Sequence, residues 1–186
     1  MFAGADEEQL YKNIITLIMT NITTIYPLTR GPLVGIALTS DGESLLAVKF
    51  LTKSAEREQL RRQLAPDRAT HELHQRAHAQ LDGYFAGEMR SFDLPLQLEG
   101  TEFQRKVWQQ IADIPYGQVC TYGQVAARLG GSGLSRAVGQ AANKNPIPLI
   151  VPCHRVVGAG GKLTGFASGV ELKSYLLNHE RSDRLW

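Results

Sequence analysis

The sequence predicts an α+β protein in which a small N-terminal antiparallel sheet with helices precedes a mostly helical C-terminal half. Three observations support this fold class. Aliphatic and β-branched segments alternate with turn residues before residue 52, a proline-containing stretch covers residues 92–100, and two helical segments separated by glycines follow. The last pattern is typical of a helix-turn-helix, so we expect a winged-helix-like C-terminal domain.

The N-terminal half carries signals for a sheet and several helices. Apolar residues at helical spacing in residues 10–18 predict an amphipathic helix near the start. The segments "ITTIYPLT", "GPLVGIALTS" and "SLLAVKFL" predict three antiparallel strands, and Asp41-Gly42 favours a tight turn between the last two. Residues 55–65 and 69–86 are predicted to be helical, and Gly87 suits the end of the second of these helices.

The boundary between the two halves is predicted in the segment "SFDLPLQLEG". Pro95 disfavours a helical conformation for the residue before it, so this segment is expected to be extended. We therefore expect an N-terminal domain over residues 1–92, a linker over residues 93–100 and a C-terminal domain over residues 101–186.

Three helices are predicted in the first part of the C-terminal half. Thr101 suits the N-cap of the first helix, whose apolar face includes Val107 and Trp108. Thr121 suits the cap of the second helix, which the glycine pair at residues 130–131 ends. The second helix, the glycine-rich turn and the third helix have the arrangement of a helix-turn-helix, a unit that presents its last helix to a DNA groove.

The last helix of this unit begins near Ser135 and is unusual for its small side chains. Arg136 is its only strong cation, and small residues leave much of its surface bare: Ala137, Gly139, Ala141 and Ala142. Such a surface permits close approach of a nucleic-acid backbone or sugar. Tight packing against another helix is the alternative explanation.

Composition and charge restrict the function classes. Two cysteines are too few for a disulfide framework, and their spacing offers no zinc motif. The start of the chain is acidic, which argues against a signal peptide, and polar residues interrupt the apolar stretch near it, which argues against a membrane span. We therefore expect a soluble, intracellular protein.

The two halves of the chain differ in charge. Residues 1–100 hold 10 Lys and Arg against 13 Asp and Glu, a net charge of −3. Residues 101–186 hold 10 against 5, a net charge of +5, which indicates contact with a polyanion.

The stretch "NPIPLIVPCHRVV" places Cys153 directly before a histidine. A thiol attacks as its thiolate, so it needs a base or a nearby positive charge, and His154 is the nearest candidate base. Adjacent side chains on a strand point to opposite faces, so a turn or a bridging water is required. A carboxylate should orient the imidazole, and Glu180, Asp113 and Glu171 are all candidates by position.

Two further features have structural explanations. His71, His74 and His78 share one helical face, which we interpret as a solvated or interdomain face and not as a metal site. Cys120 is expected to pack beside the first helix of the helix-turn-helix unit. No metal and no cofactor are expected.

Five segments together resemble the O6-alkylguanine-DNA alkyltransferases, the methylated-DNA–protein-cysteine methyltransferases. These segments are "GTEFQRKVWQQIADIPYGQVCTYGQVAARLG", "SRAVGQAANKNP", "NPIPLIVPCHRVV", "GKLTGF" and "LKSYLLNHE". The resemblance covers residues 92–186 and, more loosely, the part before. It implies repair by direct reversal: the alkylated guanine rotates out of the duplex, and its O6-alkyl group moves irreversibly to Cys153 in a single turnover, with O4-alkylthymine as a further candidate substrate.

The resemblance also implies residue roles. His154 would take the thiol proton through a water, Glu180 would orient His154, Asn145 would brace the turn, and Tyr122 would lie beside the flipped nucleotide and protonate the leaving guanine. Arg136 would enter the base stack as a finger. The DNA-contacting residues would further include Ser135, Ala137, Gly139 and Tyr122.

The segment "GFASGVELK" departs from the family pattern. Phe166 stands where tyrosine is frequent, and Ala167 stands where a hydroxyl residue helps to bind O6, so backbone amides would make more of that contact. Ser168 would set the room for bulky alkyl groups, and Val156 is expected to complete the substrate pocket.

The expected partner is double-stranded DNA that contains alkylated guanine, bound by a monomer that could assemble along DNA. The expected compartment is the bacterial cytosol, or the nucleus in a eukaryote. Three other functions remain open: a relative that binds the lesion without accepting the alkyl group, a cysteine hydrolase, and a transcription factor. Cys153 argues against the first, and the helix-turn-helix argues against the second.

Overall fold

The computed structural model describes residues 21–63 and 71–181 of the chain. The amphipathic helix predicted in residues 10–18 lies outside the described residues. Within these residues, no helix combines the length and the apolar character that crossing a membrane requires.

A three-stranded antiparallel sheet forms the first layer. Its strands are β1 (Ile22–Arg30), β2 (Leu33–Ser40) and β3 (Leu45–Leu51), in the order β1-β2-β3. The central strand β2 is the most buried, because it pairs with both neighbours and is covered on its faces. The predicted turn between β2 and β3 is confirmed: the Asp41 carboxylate accepts the backbone N–H groups of Glu43 at 2.9 Å and Ser44 at 2.8 Å.

Two described helices follow the sheet, α1 (Ser54–Gln63) and α2 (Glu72–Ala86). Helix α2 packs an apolar face onto the sheet through Leu73, Ala77, Leu81, Tyr84 and Phe85. Gly87 ends α2 as predicted, with a φ of 80°, and its N–H donates to the Tyr84 carbonyl at 3.0 Å. This left-handed conformation favours glycine because it has no Cβ.

The interpretation of the three histidines as a solvated or interdomain face was wrong for the central residue, whereas His71 and His78 are half-buried. His74 is fully buried, and its ring nitrogens make hydrogen bonds with Thr24 Oγ1 at 2.6 Å and Ser40 Oγ at 2.7 Å. The sheet supplies both hydroxyl groups, which neither helical spacing nor composition could indicate. Burial, with smaller contributions from His78 and His71, lowers the pKa of His74 to about 4.

This buried imidazole predicts a loss of stability in mild acid. The pKa of His74 is lower in the folded chain than its ordinary value of 6.5, so its stabilising contribution is complete above pH 6.5 and is lost as the pH falls towards 4. The shift corresponds to about 3 kcal/mol at most. Urea unfolding between pH 7 and pH 4 measures this contribution by comparison with His74→Gln, which keeps every other histidine of the chain. Equal slopes of unfolding free energy against pH in the two proteins would contradict the assignment.

The segment of residues 93–100 is extended and attached to the sheet. The Leu45 N–H donates to the Pro95 carbonyl at 2.8 Å, and the Gln97 N–H donates to the Leu45 carbonyl at 2.9 Å. Leu94 is buried, and Leu96 and Leu98 pack against the core. The division into two domains at this segment stays a prediction.

The C-terminal half contains the predicted helix-turn-helix. Helix α3 (Glu102–Ala112) is capped by Thr101, and α4 (Tyr122–Arg128) is capped by Thr121. In return, the N–H of each threonine donates to the side-chain oxygen of a glutamine three residues later. A glycine-rich turn leads to α5 (Ser135–Asn143). The Trp108 indole of α3 donates to the Ala141 carbonyl at 2.8 Å and joins α3 to α5.

The remaining elements surround the "NPIPLIVPCHRVV" stretch. A 3-10 turn (Cys153–Arg155) leads into β5 (Val156–Val157), which pairs in parallel with β4 (Cys120–Thr121), and α6 (Val170–Arg181) ends the described chain. Cys120 is buried beside α4, as predicted.

Two apolar clusters meet at this stretch. The first lies between the sheet, α2 and α6 and includes Ile147 and Leu149. The second lies among α3, α4 and α5 and includes Val151, Cys153 and Val156. The stretch therefore supplies side chains to one cluster and then to the other. This explains its aliphatic run and holds Cys153 between both halves of the molecule.

Candidate active site

The turn before Cys153 is braced by Asn145. One amide N–H of Asn145 donates to the Val151 carbonyl at 2.8 Å and the other to Cys153 Sγ at 3.3 Å, while its Oδ1 accepts the Ile147 N–H at 3.0 Å. The side chain thus closes the turn and contacts the thiol. The structure therefore brings together Asn145 and Cys153, two residues to which the resemblance to the family assigns roles.

The same turn contains a backbone conformation that is costly for a leucine. Leu149 has a φ of 79°, in the left-handed region, which costs on the order of 1 kcal/mol or more for a residue with a branched side chain. Its side chain is almost fully buried in the first cluster. Burial of the leucine holds the turn in this conformation.

Cys153 and His154 lie on a 3-10 turn, so their side chains are not forced onto opposite faces as they would be on a strand. Both side chains are buried, and His154 Nε2 lies 2.7 Å from Glu180 Oε1. The Glu180 carboxylate only accepts, so Nε2 carries the hydrogen and Nδ1 carries the lone pair. Among the described residues, Nδ1 has no hydrogen-bond partner. The imidazole is therefore oriented by Glu180 and retains a basic nitrogen.

Glu180 is the most heavily hydrogen-bonded carboxylate of the site. Arg155 donates to both oxygens, from Nε at 2.9 Å and from Nη2 at 3.0 Å. The Gly117 N–H donates at 3.0 Å, and the Tyr84 hydroxyl donates at 2.8 Å. Gly117 has a φ of 70°, and a Cβ there would lie 3.1 Å from the backbone carbonyl oxygen of Glu180, so the conformation and the close approach both favour glycine. Of the other two candidates, Asp113 caps the end of α3 and Glu171 is exposed on its helix.

These contacts fix the charges of the relay, by which we mean Cys153, His154 and Glu180. Burial alone would raise the pKa of Glu180, but the hydrogen bonds and charges of His154 and Arg155 outweigh it and hold that pKa well below its ordinary value. Burial lowers the pKa of His154, against the attraction of Glu180. At neutral pH the pair is therefore a carboxylate and a neutral imidazole that can accept a proton.

The resting thiol is neutral. Burial raises the pKa of Cys153 to about 11, although the Asn145 hydrogen bond and the charge of Lys173 act in the opposite direction. A neutral thiol at pH 7 is a weak nucleophile, so the site must remove the proton when it reacts. Both cysteines of the chain are free.

Lys173 is a site residue that the sequence argument missed. It is fully buried, and its ammonium donates to the Val156 carbonyl and, at 2.9 Å, to the Thr164 carbonyl. It also lies 5.6 Å from the centre of the Tyr122 ring. Burial lowers its pKa to about 8. Lys173 and Glu180 are seven residues apart on α6 and so share one helical face, a spacing that could have identified Lys173.

Tyr122 begins α4 and lies against the loop after β5. Its hydroxyl donates to the Gly165 carbonyl at 2.9 Å and to the Thr164 carbonyl at 3.1 Å. Burial, and then the charge of a Cys153 thiolate, raise its pKa. The phenol is thus a hydrogen-bond donor that resists ionisation.

Helix α5 divides its small residues between two sides. Arg136 is exposed, and Ser135, Ala137 and Gly139 are half-buried, whereas Ala141 and Ala142 belong to the second cluster. A Cβ at Gly139 would lie 3.7 Å from the Tyr122 ring, an ordinary contact. Ala141 and Ala142 therefore follow the packing explanation, and only the first part of α5 presents a bare surface.

The residues predicted to form the substrate pocket do not share one environment. Phe166 is half-buried between the clusters and lies 6.3 Å from the Phe50 ring, centre to centre. Ala167 is exposed, Ser168 is half-buried and Val156 is fully buried. Their role in binding a substrate stays a prediction.

Comparison with known proteins agrees with this geometry. Residues 24–98 match the ribonuclease-like domain of 6-O-methylguanine DNA methyltransferase, and residues 102–182 match the DNA-binding domain of the same family. The methylated-DNA–protein-cysteine methyltransferase of Methanosarcina acetivorans is 46% identical over 159 residues, which are 84% of this chain and 98% of that protein. The corresponding protein of Mycobacterium bovis is 52% identical over 103 residues, or 55% of this chain and 62% of that protein.

Solved structures give the same result. The Mycobacterium tuberculosis OGT, crystallised in complex with DNA, has a TM-score of 0.73 and 39% identity, over 86% of this chain and 92% of that one. An O6-methylguanine DNA methyltransferase from Methanococcus jannaschii has a TM-score of 0.61 and 30% identity, over 85% and 93% of the two chains. The chain belongs to the family of methylated-DNA–protein-cysteine methyltransferases.

Proposed function

We propose that this protein repairs alkylated double-stranded DNA by transferring the alkyl group from guanine O6 to Cys153 Sγ, once per molecule. The observation that carries the proposal is the buried thiol on the same short turn as an imidazole held by a buried carboxylate. The basic C-terminal half and the helix-turn-helix are the proposed DNA-binding surface, and the Mycobacterium tuberculosis relative has been crystallised in complex with DNA.

The proton and the alkyl group move in a balanced step. The Cys153 proton passes through a water to His154 Nδ1, and the imidazolium is stabilised by Glu180. Sulfur attacks the alkyl carbon, the carbon–O6 bond breaks, and guanine leaves with a proton from a donor beside it. The products are S-alkylcysteine and unmodified guanine. Because the carbon–sulfur bond is stable, the protein does not return to its starting state.

Tyr122 is the proposed donor to the leaving guanine. Its hydroxyl donates to two carbonyls of residues 164 and 165, so it would exchange these bonds for one to the base. The raised pKa keeps the phenol protonated, and so able to donate, until the guanine anion develops; the proton that it then gives up is replaced by the one that His154 took from Cys153. Lys173 donates to the same Thr164 carbonyl and holds this loop in place.

The lesion must leave the duplex to reach a thiol that is 6% exposed. Arg136 is proposed to enter the stack, and the half-buried Ser135, Ala137 and Gly139 allow close approach to the groove. Flipping costs a few kcal/mol, least for a damaged base.

O4-alkylthymine is proposed as a second substrate, because it fits the same chemistry. The protein is proposed to act as a monomer in the cytosol.

Arg136→Ala is expected to slow repair of a duplex lesion by about 10- to 100-fold, because a few kcal/mol of flipping energy is no longer offset. Repair of the free base O6-methylguanine should stay unchanged. Single-turnover rates on both substrates measure this difference. Arg128→Ala is the matched control, since it removes an exposed cation from α4. An equal loss on duplex and free base would contradict the finger role.

The proposed function is tested by counting equivalents. Protein is mixed with an excess of duplex that carries O6-methylguanine with a labelled methyl group, and protein-bound label is followed to its plateau. One label per protein molecule is expected. Lesion binding without transfer would favour the recognition-only relative, and turnover of an ester or peptide would favour the hydrolase.

A further inference from the structure

The Glu180 carboxylate receives a hydrogen bond from the N-terminal half of the chain. Tyr84 lies on α2, 96 residues before Glu180, and its hydroxyl lies 2.8 Å from Oε1. The same oxygen accepts from His154 Nε2 at 2.7 Å. Arg155 Nη2 donates to this oxygen as well, at 3.0 Å, so Tyr84, His154 and Arg155 share one oxygen atom of the carboxylate.

The hydroxyl of Tyr84 is a permanent donor in this position. The side chain is 1% exposed, and burial, together with the charge of Glu180, raises its pKa well above the ordinary value. Its ring is fixed on several sides by other aromatic side chains, with centroid distances between 5.1 and 5.9 Å: Phe85, Phe92, Tyr116 and His179. The hydrogen bond is thus part of a rigid contact between the two halves.

We propose that Tyr84 is a positioning residue that limits how strongly the Glu180 carboxylate stabilises the protonated form of His154. The partial positive charge of the hydroxyl hydrogen compensates part of the carboxylate charge. With it, His154 binds the thiol proton and releases it again. Without it, the carboxylate would hold the imidazolium more strongly. The first half of the chain would then contribute to the chemistry and not only to the fold.

The other charged groups around the relay also affect the pKa of His154, and they stay in place when Tyr84 is changed. Arg155 and Lys173 both lower the pKa of His154, and the Cys153 thiol is its neighbour on the turn. Around Tyr84 itself the charged and titratable groups are Glu180, Arg155, Tyr116 and His179. Removing one hydroxyl therefore changes a single contact of the carboxylate.

The test is Tyr84→Phe, which keeps the ring and its packing. The pKa of His154, read from its imidazole nitrogen resonances, should rise by about 0.5–1 pH unit. The acid limb of the methyl-transfer rate should move to higher pH by the same amount, because the imidazole must be neutral to accept the thiol proton. Replacing Tyr84 with 3-fluorotyrosine, a stronger donor, should shift both readouts in the opposite direction.

Tyr26→Phe is the matched control. Tyr26 is another buried tyrosine of the same half, and its hydroxyl donates to the Asp82 carboxylate at 2.7 Å, outside the relay. Tyr26→Phe should lose a similar amount of stability, but the pKa of His154 and the acid limb of the methyl-transfer rate should not move. If neither Tyr84 replacement moves the His154 titration relative to this control, the proposal is overturned. The kinetic readout rests on the proposed function, whereas the titration of His154 does not. Absence of methyl transfer in the unchanged protein would therefore refute the function and leave the titration as the test of Tyr84.

Discussion

Replacing Cys153 with serine is expected to abolish alkyl transfer while lesion binding and the fold persist. A hydroxyl ionises far less readily than a thiol and is a poorer nucleophile, so His154 cannot generate an effective attacking group. The serine oxygen still accepts the Asn145 amide, which lies 3.3 Å from the sulfur in the unchanged protein. The turn should therefore remain closed.

The measurement is transfer of labelled methyl from a lesion duplex, together with binding of the same duplex. Cys120→Ala is the matched control, because Cys120 is also a free, buried cysteine of the second cluster. It should lose stability through a small cavity and keep one equivalent of transfer. Residual transfer in Cys153→Ser, or its loss in Cys120→Ala with the fold intact, would contradict the assignment of the nucleophile.

Glu180→Gln is expected to reduce both stability and rate. The amide keeps the shape of the side chain but leaves the buried Arg155 guanidinium without its counter-charge, and breaking a buried ion pair costs about 3–5 kcal/mol. His154 loses the carboxylate that orients it and stabilises its protonated form. We therefore expect single-turnover methyl transfer to slow by about 100-fold or more.

Urea unfolding and single-turnover kinetics measure these two effects. Glu171→Gln is the control, because it removes a carboxylate from the exposed side of the same helix. Its effect on stability should stay within about 1 kcal/mol, the size of a helix-terminus charge effect. If the two variants behave alike, Glu180 is not the orienting carboxylate.

Local signals in the sequence predicted local structure well. Thr101 and Thr121 begin helices because each capping box lies within four residues, and Gly87 ends a helix through its own backbone conformation. The hairpin at Asp41 likewise depends only on the turn residues. These features need no information from distant parts of the chain.

Contacts between distant residues could not be predicted in this way. Periodicity left three carboxylates open as the partner of His154, and the resemblance to the family selected Glu180 among them. The burial of His74 depends on hydroxyl groups of two strands, and the contact of Tyr84 with Glu180 spans 96 residues. The left-handed conformation of Leu149 also had no local signal, because burial of its side chain in the first cluster holds it.

The central claim is that Cys153 itself keeps the alkyl group. Unmodified protein is incubated with a duplex that contains O6-methylguanine, digested, and mapped by mass spectrometry. One methyl group on the sulfur of Cys153, together with unmodified guanine in the recovered DNA, is the predicted result. A methyl group on another residue, or repaired DNA with an unmodified Cys153, would contradict the account.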